Sequence, residues 1–385
     1  MLDPKLLEFC TTDRQKEVIS LRIAGKGPAQ IAKETGVGEK TIFDIIRRVK
    51  FNAASRGYSP DHDISKIVPE GFKLKGVSSY YNSEGQLSGQ WVKSQSDDEA
   101  RIELFLKTLE KAHENYTPFE PRQPPVKVDD DLLSLITITD FHLGMYAWEA
   151  ETGESWDINI ARDVFLNSIH DMINSCPDSS TGFLCQLGDF LHFDSLLQVT
   201  PSSGHILDAD TRYSKLVELT MLVMTQAVEL MLGKFKNVVI VQAEGNHDMA
   251  GSIWLRKHLK HIYSKENRVE IIDNEFPYYA YLHGETMLGF HHGHKVRIGQ
   301  LHKLFAAEPR FREMWGKAKQ TYIHTGHLHH EKVVEDGGAI TEQHPTLAAR
   351  DAYAARGGWV SMRGAKVITY HKTDGEIHRT TVRPR

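Results

Sequence analysis

Five apolar runs in the sequence break off into polar clusters of the same kind, and this recurrence limits the fold more than any other feature. LLSLITITDFHLG ends in Asp140 and His142, and TGFLCQLGDFLHFD ends in Gly188, Asp189 and His192. VVIVQAEGNHDM ends in Gly245, Asn246, His247 and Asp248; TMLGFHHGHKV ends in His291, His292 and His294; TYIHTGHLHHE ends in Gly326, His327, His329 and His330. Runs of four to eight apolar, β-branched residues stopped by glycine and polar residues are buried strands. Helical patterns lie between them, notably INIARDVFLNSIHDMI and KLVELTMLVMTQAVELMLGKF. Alternating strands and helices make an α/β fold, whose ligands gather at the carboxyl ends of the strands.

Singly such tips are commonplace, since most histidines near strands are hydrogen-bonded residues of the core or surface. Together they supply imidazoles, carboxylates and an amide, the donor set of a d-block cation rather than of calcium. The sequence has 21 histidines but only three cysteines, Cys10, Cys176 and Cys185, with no C-x-x-C spacing. A disulfide framework and a thiolate zinc site are therefore not expected.

The order D-x-H, G-D, G-N-H-D, H-G-H, G-H-x-H, each after a strand, resembles the calcineurin-like metallophosphoesterases over about residues 131–335. The resemblance implies an αββα sandwich, two stacked mixed sheets flanked by helices. It also implies two divalent cations, manganese first, with iron, zinc, nickel or magnesium as alternatives. One would be held by Asp140, His142, Asp189 and His329, the other by Asp189, Asn246, His292 and His327, with Asp189 bridging. His291 and His294 remain alternatives to His292. The implied reaction is phosphoester hydrolysis by a hydroxide shared between the cations. His247 would act on the phosphate or the leaving group. His192 and Asp248 complete the catalytic candidates, with Asp248 read as orienting local backbone or an imidazole.

The second motif continues as Gly188, Asp189, Phe190, Leu191, His192. G-D-x-x-H resembles the SbcD-type DNA nucleases and lacks the V-D-R-G continuation of the protein phosphatases. QVTPSSGHILDADTRYSKL, between the second and third motifs, sits where substrate loops lie, which makes His205, Asp208, Asp210 and Arg212 substrate-binding candidates. The capping domain of the SbcD-type enzymes is not recognisable in the tail from about residue 336. Arg350, Arg356 and Arg363 are read there either as lining a phosphate-bearing strand or as solvated surface.

The net charge of −5 is uneven: residues 1–60 hold eleven Lys and Arg against seven Asp and Glu, a surplus of +4 that leaves −9 for the rest. In this block Thr12 caps a helix over 13–24, Gly25 and Gly27 end it, Pro28 opens a second, and Gly36, Val37 and Gly38 turn into a third near Glu39. The pattern resembles a helix-turn-helix DNA-binding domain, with Lys40, Thr41, Asp44, Arg47 and Arg48 facing DNA from the third helix. A three-helix protein-interaction module is the alternative. The expected organisation is a small all-α domain at 1–60, a connector at 61–130 and the phosphoesterase domain at 131–385. The connector would contain a hairpin turning at 82–85, a helix at 97–116 and a proline-rich linker.

A DNA endo- or exonuclease brought to DNA by its N-terminal domain is the leading expectation. Such two-part chains resemble phage and prophage proteins. A phosphodiesterase or phosphatase for a small nucleotide or phosphoprotein is the second reading, and a DNA-binding regulator with an inert phosphoesterase domain the third. DNA is the expected partner, with homo-oligomerisation left open. The longest apolar stretch, MLVMTQAVELML at 221–232, is short of the roughly 20 residues of a membrane span and carries Thr225, Gln226 and Glu229. No membrane association is expected. MLDPKLLEFC lacks the basic and apolar regions of a secretory leader, so the expected place is the cytoplasm of a bacterial or phage-infected cell.

Overall fold

The computed structural model describes residues 2–59, 72–83, 87–96 and 127–384 apart from 202, with single positions between these spans. Apart from Glu103 and Lys107, the helix read at 97–116 lies outside the described residues, as does most of the proline-rich linker. The chain divides into two compact units, Met1–Lys107 and Thr108–Arg385.

The first unit opens with a 3-10 helix at Pro4–Phe9 and continues with three α-helices, α1 (Asp13–Ile23), α2 (Pro28–Thr35) and α3 (Glu39–Ser55). The side chain of Thr12 accepts from the Gln15 backbone N–H and so caps α1. Gly36 ends α2 at φ 69°, a left-handed conformation that costs glycine nothing and turns the chain directly into α3. Val18, Ile31 and Ile42, one from each helix, meet in a fully buried contact flanked by Val37 and Ile45. Strands β1 (Phe72–Tyr81) and β2 (Leu87–Ser96) form an antiparallel hairpin within the residues of this unit.

The second unit holds two mixed sheets. In the first, β3 (Asp129–Ile138), β4 (Ser179–Gln186), β5 (Asn237–Gln242) and β6 (Val269–Ile271) run parallel. Two C-terminal strands, β12 (Ala365–His371) and β13 (Gly375–Val382), extend it antiparallel in the order β13-β12-β3-β4-β5-β6. The second sheet has the order β10-β11-β9-β8-β7. It comprises β7 (Tyr279–His283), β8 (Thr286–Phe290), β9 (Gln320–Thr325), β10 (Lys332–Asp336) and β11 (Ala339–Gln343), with β8, β9 and β11 parallel.

Both sheets contribute to one core. Leu135, Phe183, Val241 and Ile368 from the first pack with Leu288, Phe290 and Tyr322 from the second, and the Phe183 and Phe290 rings stack at 5.0 Å. The outer face of the first sheet is covered by α5 (Ile158–Ser175), α6 (Tyr213–Lys234) and α7 (Met249–Ile262), which follow the short α4 (Glu149–Thr152). The outer face of the second is covered by α8 (Leu301–Ala307) and α9 (Pro309–Lys317), through Met287, Phe305, Phe311 and Ile323. Strands buried on both faces need continuous apolar sequence, hence the runs quoted above. This is the two-sheet sandwich flanked by helices that the motif order implied. Among the described helices, α6 alone is apolar and long enough to cross a membrane by composition, and most of it is buried within this unit.

The tail is part of both sheets. Glu342 on β11 is buried and accepts from Lys366 Nζ on β12 at 2.6 Å and from both terminal nitrogens of Arg379 on β13 at 2.7 and 2.8 Å. Lys366 is itself buried, so removing Glu342 would leave its cation with the half-exposed Glu331 alone, at 2.7 Å, and would take from Arg379 one of its two carboxylates. Glu342→Ala is expected to lower the unfolding free energy by about 3–5 kcal/mol, read from urea transitions. Adding Lys366→Met should restore most of that loss; no recovery would show that the packing of Glu342, not charge pairing, sets the effect.

Candidate metal centre

Parallel neighbours end at the same edge of a sheet. The chain leaves β3, β4 and β5 at Asp140, Asp189 and Asn246, and leaves β8 and β9 at His292, His327 and His329. With the sheets stacked face to face, these two edges deliver all the expected ligands to one place.

The backbone there is strained. Among the described residues, the non-glycine positions with positive φ are Asp140 (48°), His142 (49°), Asp189 (53°), His327 (76°) and His329 (56°). Each costs roughly 1–2 kcal/mol against the right-handed region, so five of them together are tolerated only where surrounding contacts force them. The motif glycines have an equally direct cause. A Cβ on Gly245 would lie 2.0 Å from Asp189 Oδ1, one on Gly326 would lie 2.6 Å from Asp140 Oδ2, and one on Gly188 would strike the His292 ring at 2.7 Å. The ligands press on bare backbone.

The ligand atoms converge. Asp140, His142 and His329 present donor atoms within 4.8 Å of one another, as do Asp140, Asp189, His292 and His327. Asp140 belongs to both groups and Asp189 to the second. Asp140 Oδ2 accepts from the His327 backbone N–H at 2.7 Å and from Thr139 Oγ1 at 2.5 Å. Its Oδ1 is buried without a hydrogen-bond partner and lies 3.2 Å from His329 Nε2. His329 Nε2 also faces His142 Nε2 at 3.3 Å. His292 donates from Nδ1 to the Leu187 carbonyl at 2.8 Å, which turns Nε2 towards Asp189 Oδ2 and Asn246 Oδ1, each at 3.1 Å.

The electrostatics calls for positive charge. Burial disfavours ionising Asp140, yet the His329 and His292 imidazoles hold its carboxyl well below the usual range. Burial likewise pulls His292 down, but the Asp189 and Asp140 carboxylates outweigh it and push the imidazole up to about 10. His142 goes the other way: burial and the neighbouring imidazoles keep it neutral, as a ligand nitrogen must be. An orphaned carboxylate oxygen, imidazole nitrogens turned towards each other and two charged carboxyls out of water fit a pair of divalent cations. The donor set suits manganese, iron, zinc or nickel. Asp140, His142 and His329 would hold one ion, and Asp189, Asn246, His292 and His327 the other; the carboxylate common to both donor groups is that of Asp140, where Asp189 was expected as the bridge.

Of the catalytic candidates, His247 and His192 stand beside these ligands. The His247 backbone N–H donates to Asp189 Oδ1 at 2.7 Å, its Nδ1 donates to the His192 carbonyl at 2.8 Å, and its ring meets that of His142 edge-on at 4.8 Å. His192 Nδ1 lies 3.4 Å from His142 Nδ1, and burial with the nearby His247 pushes it down to about 3. Asp248, counted among the catalytic candidates but read as orienting local backbone, does the latter. Its two oxygens accept four backbone N–H groups, from Asp189, Phe190, Leu191 and Gly245, at 2.7 to 3.3 Å, so no lone-pair direction is left for chemistry. His291 stacks on Tyr278 at 4.4 Å and joins neither ligand group, and neither does His294.

A cleft of ≈ 1070 Å³ opens on the ligands, lined by His142, Asp189, Asn246, His247, His327 and His329 among others. His205 and Arg212 do not line it. His205 is exposed in a turn closed on Thr200, and Arg212 is the exposed residue before α6. Neither Asp208 nor Asp210 lines it either; the Asp210 carboxylate accepts from the Ile158 N–H at the start of α5 at 2.7 Å. The tail supplies the wall that the substrate loop was expected to give, through Arg350, Tyr353, Trp359 and Arg363. Arg350 and Arg363 are bound by carbonyls and a carboxylate, whereas Arg356 lies outside the cleft on solvated surface, one of the two readings made for it. The sequence reading also missed Thr139 and Thr346, whose hydroxyls fix the Asp140 carboxylate and carbonyl. No sequence signal separates those threonines from ordinary strand residues.

No family model and no curated protein matches the sequence. Solved structures do match. A dimetal phosphatase from Danio rerio matches at 9% identity and a TM-score of 0.36, covering 67% of this chain and 100% of its own. A novel archaeal phosphodiesterase matches at 10% and 0.31, covering 65% and 99%. YfcE, a phosphoesterase from E. coli, matches at 16% and 0.30, covering 64% and 98%.

Gly245→Ala tests whether close packing of backbone on carboxylate sets the cage. The added methyl must displace the Asp189 carboxylate, and Mn²⁺ affinity measured by calorimetry should fall about 10–100-fold with the unfolding transition still cooperative. Unchanged affinity would separate Asp189 from the metal centre.

Proposed function

We propose that this protein is a two-metal phosphodiesterase acting on DNA. The observation that carries the reading is the meeting of carboxylate, imidazole and amide donors from five strand ends around one cleft, with His247 beside them. Bound there, two divalent cations would activate a water and neutralise the oxygens of a phosphate. The chain's own residues do the positioning. Asp140 and Asp189 are fixed by backbone N–H groups, so the cage keeps its shape whatever enters it. His247 is locked through Nδ1, which leaves Nε2 to hold a phosphate oxygen or to deliver a proton to the departing one.

DNA as the substrate rests on the N-terminal unit. Lys40, Thr41, Asp44, Arg47 and Arg48 are all exposed on α3, which follows α2 through a three-residue turn, the layout of a helix-turn-helix. Asp44 offsets part of the charge through an ion pair with Arg47 at 3.1 Å. Such a reader would raise the concentration of DNA phosphodiesters at the catalytic unit. The size of the cleft favours a second reading, hydrolysis of a small nucleotide diester.

Incubation of the full chain with Mn²⁺, bis-p-nitrophenyl phosphate and a panel of single-stranded, duplex and nicked DNA separates the two. Cleavage of the small diester without cleavage of DNA would favour the second. Asp189→Asn and His247→Ala should each abolish turnover, with metal loading lost only in the first; equal metal loss in both would overturn the role given to His247. Replacing Arg47 and Arg48 by alanine should weaken DNA binding and lower its salt slope by about 2, leaving turnover of bis-p-nitrophenyl phosphate intact. An unchanged slope would remove α3 from the DNA interface.

A further inference from the structure

The segment joining β11 to β12 forms a wall of the cleft, and arginines fasten it. Arg350 donates from Nη2 and Nε to the Thr152 carbonyl at 2.7 and 3.2 Å. Arg363 donates from Nε and Nη2 to the Leu347 carbonyl at 2.9 and 2.7 Å, and from Nη1 to Glu154 at 2.6 Å, while its guanidinium lies 5.1 Å from the Trp156 ring centre. Arg356 pairs with Glu151 at 2.6 Å. The turn after α4 and the tail segment are thereby held together. Both guanidiniums that line the cleft are turned into this fastening, Arg350 onto carbonyls and Arg363 onto a carbonyl and a carboxylate.

What this fastened wall offers to the cleft is flat apolar surface. Tyr353 is 74% exposed and Trp359 58% exposed, although large aromatic side chains are mostly buried in folded proteins. Their rings meet edge to face at 5.3 Å and 72°. The Trp359 ring lies against Gly357, where a Cβ would come within 3.2 Å of it, and the Trp359 backbone N–H donates to the Ala354 carbonyl at 3.0 Å. One side of the indole is thus backed by main chain and the tyrosine ring stands steeply beside it, with much of the indole left open. Both rings share the cleft with His247, Asn246 and His329.

Resting on the phosphodiesterase reading above, we infer that Tyr353 and Trp359 form a stacking subsite for the nucleobase attached to the phosphate held at the carboxylate–histidine cluster. A heterocyclic base has the flat π-face that such a ring pair accepts, and stacking does not depend on its sequence. A phosphopeptide would gain more from free cations or hydrogen-bond donors, which this wall withholds. A base inside a duplex is covered by its neighbours and cannot reach the rings, so the preferred substrate carries an unpaired nucleotide at the cleaved bond.

The test compares two diesters with the same leaving group, thymidine 5′-(4-nitrophenyl phosphate) and methyl 4-nitrophenyl phosphate, using the full chain with Mn²⁺. The nucleoside ester should show a KM about tenfold lower or better. Tyr353→Ala and Trp359→Ala should each erase most of that gap by raising KM for the nucleoside ester alone, whereas Trp359→Phe keeps it. Equal KM values in the unmodified protein, or a gap that survives both alanine variants, would overturn the subsite. Should neither diester be hydrolysed, the catalytic reading falls, and the subsite is judged by binding. Thymidine monophosphate should then quench indole fluorescence where deoxyribose 5-phosphate does not, with the response lost in Trp359→Ala; no difference between the two ligands would overturn it.

Discussion

Two carboxylates held out of water govern this structure. Burying an ionised carboxyl costs several kcal/mol unless hydrogen bonds and opposite charge offset it, and Asp140 and Asp189 are both buried. Their compensation comes first from backbone: His327 N–H on Asp140, His247 N–H on Asp189. Bringing main chain that close requires the glycines that precede the ligands and the left-handed turns at five ligand positions. The remaining compensation comes from histidines of the second sheet. The strain, the glycines and the stacking of the two sheets therefore answer one electrostatic demand.

Much of this was legible in the sequence because the demand writes itself into local pattern. A strand buried on both faces must be apolar throughout, and a ligand must sit just beyond its end, so LITITD, CQLGD and VQAEGNH declare both strand and site. The capping of α1 by Thr12 and the turn at Gly36 were readable for a similar reason, since each depends on neighbours in sequence. What could not be read depends on residues far apart. For Asp248 the orienting role was readable but not its partners, the N–H groups of residues 189–191, more than fifty positions away. His205 and Arg212 were chosen for chemistry and position, but the fold turns their segment onto its own backbone. The arginines of the tail were identified as residues of interest without their partners, Thr152, Leu347 and Glu154, which only the folded chain supplies.

The tail shows how a segment without a motif can matter as much as one with several. It gives the first sheet two strands, one of them next to the strand that carries Asp140, and it gives the cleft a wall of exposed rings. Its composition announces none of this, because β12 is a short apolar run like many others and the arginines between β11 and β12 bond mainly to carbonyls.

The place of β12 also has a consequence for how the protein is made. Thr137 on β3 pairs with Lys366 on β12, 229 positions later. A chain emerging from the ribosome therefore exposes the first four strands of this sheet long before the neighbour that closes one side of β3 exists, and closing so long a loop is entropically slow. The strand end that carries Asp140 therefore gains its second neighbour only after 229 further residues have been made, so the carboxylate–histidine cluster stays unbuttressed on that side until β12 has joined.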